Sequence, residues 1–270
     1  MRAPVLDVGE TRCPGPYHAG MSWVDGKTVV VTGGSSGIGK GVAFAVAAAG
    51  GRVVLAGRTP SRLDEGVEQI RAAGGQAIGV ATDVGDAAAV EGLMEHAVDR
   101  YGTLDGLVTA AGVGRFGPML TQPQEDIDET VRTDLLGTIY AVRAAAVRMA
   151  PGSQIVTIAS AMAGRPSSTL SVYAAVKTAV AALSESARPE LAERGIRLSC
   201  LLPGGVATHF QDGWGEQELG AFGMSGHAGT PVAEGGPDLS RVMRARDVAP
   251  SVLFAFDLPE RSRGATLEIV

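Results

Sequence analysis

The β-branched run Thr28–Thr32 leads directly into Gly33-Gly34-Ser35-Ser36-Gly37-Ile38-Gly39, and the alanine-rich stretch Lys40–Ala49 follows without a break. No other feature restricts the possible folds as much. A short run of Val and Thr ending in glycine reads as a buried strand, and the alanines read as a helix. The turn between them gathers free backbone N–H groups and the positive end of a helix dipole, which favours a pyrophosphate. Gly33 permits the turn, Gly37 lets the backbone approach phosphate, and Gly39 allows close packing of helix on sheet. The spacing is Gly-x-x-x-Gly-x-Gly. It differs from the Gly-x-Gly-x-x-Gly dinucleotide fingerprint and lacks the Lys-Ser/Thr of a P-loop. A glycine turn without a ligand is the bland alternative.

A second strand, Arg52–Ala56, ends at Gly57-Arg58-Thr59. In NAD-binding folds an acidic residue about 20 positions beyond the glycines accepts bonds from the ribose hydroxyls. Gly57 holds that place here, and Arg58 follows it. A carboxylate would repel a 2′-phosphate, whereas a guanidinium pairs with one bidentately. The pattern points to NADP(H) ahead of NAD(H); a solvated loop arginine is the alternative.

Farther along, Tyr173 and Lys177 are four residues apart, and Ser160 lies thirteen residues before the tyrosine. On a helix, positions i and i+4 share a face, so the ammonium can stand beside the phenol. A nearby positive charge favours the phenolate and lowers a tyrosine pKa from about 10. A hydroxyl from another segment could then polarise a substrate oxygen. The Tyr-x-x-x-Lys spacing alone arises easily by chance. It gains weight from the phosphate-binding turn in the same chain.

Together these pieces resemble the short-chain dehydrogenase/reductase family, from about Gly26 to Val270. Thr32–Gly39, with Ser35, Ser36 and Ile38 between the glycines, resembles its cofactor loop. Asp83-Val84 resembles the acid that meets the adenine ring. The Leu107–Gly112 segment, with Ala110, Ala111 and Gly112, takes the place of the family's Asn-Asn-Ala-Gly beneath the cofactor. Ser160 falls on the family's serine, and Tyr173 and Lys177 on its acid–base pair, with Lys177 also steadying the ribose. Pro203, Gly204, Val206 and Thr208 resemble the loop that holds the nicotinamide end. The resemblance implies hydride transfer from a nicotinamide, a homodimer or homotetramer, and no metal in the reaction.

Two departures carry weight. Thr109 and Ala110 replace both asparagines of Asn-Asn-Ala-Gly, so the bonds those side chains make must be found elsewhere. The family's fourth catalytic residue is an asparagine, and its position here is Asp134. An ionised aspartate cannot donate from its side chain. Beside Lys177, its charge would hold the lysine protonated yet partly cancel the field acting on Tyr173. The expectation is a working but altered proton relay with a raised tyrosine pKa; a tolerated swap without consequence is the alternative.

The remaining chain fits one α/β domain. Its 270 residues are 45% hydrophobic and 19% charged, enough for a substantial core. Alternating strands near 28–32, 52–56, 76–81, 104–110, 154–159, 197–202 and 265–269 predict a doubly wound, Rossmann-type parallel sheet of seven strands. Helices are expected at 37–49, 61–73, 87–101, 125–149 and 171–193. Residues 1–24 read as a flexible extension, 25–270 as the domain, and about 209–240 as a lid. A net charge of −6 and the lack of a basic cluster argue against nucleic acid. No apolar run long enough to span a membrane is present. Two cysteines, Cys13 and Cys200, make no disulfide framework, consistent with a cytoplasmic setting.

The reading is an NADPH-dependent reductase of a ketone or other carbonyl on a small or medium-sized metabolite. Tyr173 serves as general acid, with Ser160, Lys177 and Asp134 beside it. An NADP-dependent alcohol dehydrogenase is the runner-up. A cofactor-binding regulator without turnover is the competitor from outside enzymology. Arg115 or Arg165 could bind a substrate anion, with a solvated arginine as the plainer role for each.

Overall fold

The computed structural model describes residues 22–115, 117–165, 170–207, 243–259 and 261–269. Strand β1 (Thr28–Thr32) is followed by α1 (Gly37–Ala48), β2 (Arg52–Gly57), α2 (Pro60–Ala72), β3 (Gln76–Ala81), α3 (Ala87–Tyr101) and β4 (Gly106–Thr109). The second half carries α4 (Gln124–Thr130), a π-helical turn (Val131–Leu136), α5 (Gly137–Ala146), β5 (Gln154–Ile158), α6 (Ser171–Glu193) and β6 (Arg197–Pro203). A two-residue pair, β7 (Val206–Ala207) and β8 (Met243–Arg244), precedes α7 (Ala245–Phe256) and β9 (Thr266–Ile269).

Seven strands form one sheet in the order β3-β2-β1-β4-β5-β6-β9, with every pairing parallel. The chain winds outward from β1 to β3, then returns to lay β4 on the other side of β1. That reversal opens a crevice at the carboxyl ends of β1 and β4, where doubly wound sheets bind ligands.

Alternation along β1 shows why the sheet is covered on both faces. Val29 and Val31 pack with Val42 and Val46 of α1, Leu63 of α2 and Val252 of α7. Val30 packs on the opposite side with Leu93 and Met94 of α3 and Ala141 of α5. Such double burial is what a near-continuous apolar strand requires.

Sequence and structure part company at three places. Trp23 and Val24, assigned above to the extension, belong to the packed domain: Val24 is fully buried. The Trp23 ring stacks on Phe256 at 5.0 Å between centroids. Helix α7 escaped the sequence reading because Pro250 interrupts its pattern, although Val248, Val252 and Phe256 repeat at helical spacing and are buried. Finally, the single helix expected over 125–149 is divided by the π-helical turn at 131–136. Thr138 Oγ1 donates at 2.7 Å to the carbonyl of Asp134, within the widened turn.

Candidate active site

Around the turn between β1 and α1, the backbone packs too closely for side chains at Gly33 and Gly39. Gly33 has φ +68°, and a Cβ there would lie 2.7 Å from the Ala110 carbonyl oxygen. A Cβ on Gly39 would meet the Gly33 carbonyl oxygen at 2.3 Å, so helix and turn touch backbone to backbone. Ser36 precedes α1 without a side-chain cap, and the first turn holds no acidic residue. The first N–H groups of α1 therefore remain available to an anion.

An open cleft of about 290 Å³ runs past this turn, lined there by Gly33, Ser36, Gly37 and Ile38. Ala110 and Gly112 line its β4 side. Pro203, Gly204 and Val206 line it beyond β6, and Ser160, Tyr173 and Lys177 lie at its inner end. Arg58 also lines the cleft, joined by Arg62, which sequence reasoning missed although it falls in the first turn of α2.

The other predicted cofactor residues among the described ones do not line the cleft. Ser35 sits against Gly57, where a Cβ would meet Ser35 Oγ at 2.7 Å. Asp83 accepts the Gly85 N–H at 2.9 Å and lies 3.8 Å from Arg132. Val84 is buried against Gly137. The Ala111 N–H donates to Thr32 Oγ1 at 3.3 Å, one bond made without the missing asparagines. The Thr109 hydroxyl is buried with no hydrogen-bond partner among the described residues. Thr208 and the expected lid at 209–240 lie outside the described residues, as do 1–21 of the extension.

Helix α6 presents Tyr173 and Lys177 on one buried face, with Lys177 Nζ 5.7 Å from the phenol ring centre. Ser160, just past β5, lines the cleft with Tyr173, and its hydroxyl favours the phenolate. Its Oγ also accepts the Met162 N–H at 3.1 Å, which fixes the hydroxyl and leaves its proton to donate. Behind this pair, Asp134 Oδ2 stands 3.0 Å from Lys177 Nζ, with side-chain exposures of 0% and 7%. The contact is an ion pair whose angles fall outside hydrogen-bond geometry. Asp134 Oδ1 accepts the Val113 N–H at 2.8 Å, and Lys177 Nζ reaches the Ile158 carbonyl at 3.4 Å.

Burial works against charge at all three groups. It pushes the Asp134 carboxyl above its ordinary value, opposed by Lys177 and the Val113 N–H. It pulls Lys177 down, but Asp134 and Tyr173 outweigh it, leaving the ammonium more firmly protonated than usual. Tyr173 is raised, first by burial and then by the Asp134 charge, against the opposing pull of Lys177 and Ser160. The lysine's attraction alone would have lowered it. Burial and the aspartate reverse the sign.

A second charge cluster lies at the outer end. Arg58 Nη1 is 3.0 Å from Glu129 Oε1, and Arg115 Nε is 3.0 Å from Glu129 Oε2 and 3.5 Å from Asp126. Burial pushes the Glu129 carboxyl up, but hydrogen bonds from both arginines hold it below its usual value. Arg165 pairs with Glu268 on β9. Arg115 and Arg165, the candidates for a substrate anion, are thus both engaged by carboxylates. Among the described residues, no group of three His, Cys, Asp or Glu side chains is placed to hold a metal ion, and no helix is long and apolar enough to cross a membrane.

Residues 27–219 match the family model for short chain dehydrogenase. The chain belongs to the short-chain dehydrogenase/reductase family, and so is an oxidoreductase of the kind that works with a nicotinamide cofactor. An uncharacterized oxidoreductase of Methylorubrum extorquens is 35% identical over 256 residues, spanning 93% of this chain and 97% of its own. An L-rhamnose 1-dehydrogenase (NAD(P)(+)) of Sphingomonas sp. is 32% identical over 253 residues, spanning 92% and 96%. The crystal structure of a short chain dehydrogenase from Burkholderia cenocepacia in complex with NADP superposes with TM-score 0.78 at 31% identity, covering 91% of this chain and 97% of that one.

Proposed function

We propose that this chain is an NADPH-dependent reductase that converts a ketone or other carbonyl of a small or medium-sized metabolite to an alcohol. The observation that carries the reading is the buried trio at the inner end of the cleft. There Ser160, Tyr173 and Lys177 line the same space as the glycine turn. The glycine cradle, the uncapped helix N-terminus and the guanidiniums of Arg58 and Arg62 fit a dinucleotide bearing a 2′-phosphate. When bound, that cofactor supplies the hydride.

The protein's part is to hold the carbonyl and move one proton. Ser160 donates to the carbonyl oxygen, and Tyr173 delivers its phenolic proton to that oxygen as negative charge builds there. General acid catalysis of this kind contributes about 10²–10⁴-fold. Lys177 stabilises the resulting phenolate, and Asp134 keeps Lys177 charged. The raised Tyr173 pKa keeps the phenol loaded with its proton well into alkaline pH, which supports reduction as the working direction.

Oxidation of an alcohol by NADP⁺ uses the same groups in reverse. The rhamnose dehydrogenase relative favours keeping it as the second reading. A homodimer or homotetramer belongs to the proposal, supported by Phe254, 53% exposed near the edge strand β9. So does a cytoplasmic setting.

Screening NADPH oxidation across ketones, aldehydes and quinones, with Tyr173→Phe as control, tests the reading. Turnover abolished by the substitution supports it. NADPH binding without turnover on any substrate would instead favour a regulator.

A further inference from the structure

Arg58, which lines the cleft, is ion-paired with Glu129. Arg58 follows β2 and Glu129 lies on α4, which follows β4, and these two strands flank β1. The bond between the two side chains, at 3.0 Å, ties together segments that leave the sheet on either side of β1. Glu129 is the better anchored of the two: its side chain is 21% exposed against 56% for Arg58. It is also held from the other side by Arg115 at 3.0 Å.

The guanidinium best placed for a 2′-phosphate is thus already engaged by an internal anion. We propose that Glu129 is a specificity-determining residue: it competes with the 2′-phosphate of the cofactor for Arg58 and so narrows the preference for NADP(H) over NAD(H). The inference rests on the NADP(H) reading above. A dianionic phosphate arriving at Arg58 must draw the guanidinium away from Glu129 and also faces the repulsion of that carboxylate. NAD(H), with a neutral hydroxyl at the same position, meets neither cost. Arg62 lines the same cleft and adds a second positive charge for the phosphate. When Arg58 leaves, Glu129 keeps Arg115, so the exchange strands no charge.

Calorimetric titration tests this without any turnover. Wild type, Glu129→Gln, Arg58→Ala and the double variant are each titrated with NADPH, NADH and adenosine 2′-monophosphate. Glutamine preserves the shape of the side chain and removes its charge. Glu129→Gln should bind NADPH and adenosine 2′-monophosphate about three- to tenfold more tightly, the scale of a partly exposed ion pair, and NADH within about twofold of wild type. Arg58→Ala should lose about tenfold for NADPH and little for NADH, and adding Glu129→Gln to it should tighten NADPH less than the same substitution does in wild type, since only the direct repulsion is then relieved.

Equal tightening for NADPH and NADH would overturn the proposal, because the carboxylate would then obstruct the cleft without reading the phosphate. Unchanged NADPH affinity in Glu129→Gln, with Arg58→Ala still impaired, would also overturn it and leave the cofactor reading intact. A wild type that prefers NADH, with Arg58→Ala indifferent to both cofactors, would remove the cofactor reading and the proposal with it.

Discussion

The carboxylate of Asp134 and the ammonium of Lys177 stand 3.0 Å apart where neither side chain reaches solvent appreciably. One comes from the π-helical turn after β4, the other from the helix after β5, so the pair links the segments on both sides of the cleft floor. It also acts on Tyr173, where burial is the larger influence and the anion opposes the cation.

Asp134→Asn should shift the pH dependence of the reaction. The anion disfavours a phenolate, so its removal lowers the Tyr173 pKa from its raised position. Reduction needs the protonated phenol, so its loss of rate at alkaline pH should begin at a lower pH in the variant. Oxidation needs the phenolate, and its rise with pH should begin earlier by the same amount. Steady-state pH–rate profiles in both directions would show the two limbs moving together; an unmoved profile would reduce Asp134 to a packing role.

Lys177→Met should destabilise the fold by about 3–5 kcal/mol at neutral pH, since it leaves Asp134 buried without its counter-charge. The carboxyl's folded pKa is already above its ordinary value, and loss of the lysine raises it further. In that state the folded protein binds the extra proton, so the penalty shrinks as pH falls through the folded pKa. The double variant with Asp134→Asn should recover most of the loss. Denaturant midpoints at neutral and acidic pH measure both effects.

Tyr173→Phe should reduce kcat/KM by a factor on the order of 10²–10⁴ while NADPH binding is retained, as expected for a proton donor that contributes in the transition state. A comparable loss of NADPH affinity in titrations would recast Tyr173 as a binding residue.

Gly39→Ala should weaken NADPH binding severely and lower stability by about 1–3 kcal/mol, because its Cβ would meet the Gly33 carbonyl oxygen at 2.3 Å, with backbone on both sides. Gly92→Ala is the contrasting substitution. That glycine lies within α3 with nothing near its Cβ position, and alanine should stabilise by about 0.4–1 kcal/mol. Thermal melting with and without NADPH separates the two outcomes.

What could be read from the sequence was mostly local. The turn at 33–39 announces itself because strand, glycines and helix are contiguous. Tyr173 and Lys177 are related by helical periodicity alone. The bond from Arg58 to Glu129 joins positions 71 residues apart, and only the placement of β2 and β4 beside β1 brings them together. Nothing in the local pattern marks Glu129, which reads as one acid among several on a solvated helix. The aspartate at 134 was visible as a departure, and its nearness to Lys177 could be anticipated. The widened turn that carries it could not, since no local pattern in 125–149 interrupts the helix there. Helix α7 was hidden by a proline that tertiary burial overrides.

The contact between Ser35 and Gly57 limits how this protein could be re-engineered. Installing an acid after the second strand is the obvious route toward NAD(H), yet even the first carbon of such a side chain would collide with Ser35 Oγ at 2.7 Å. A redesign would need Ser35 to turn its hydroxyl aside or be shrunk in the same step, or would leave 57 alone and work through Arg58.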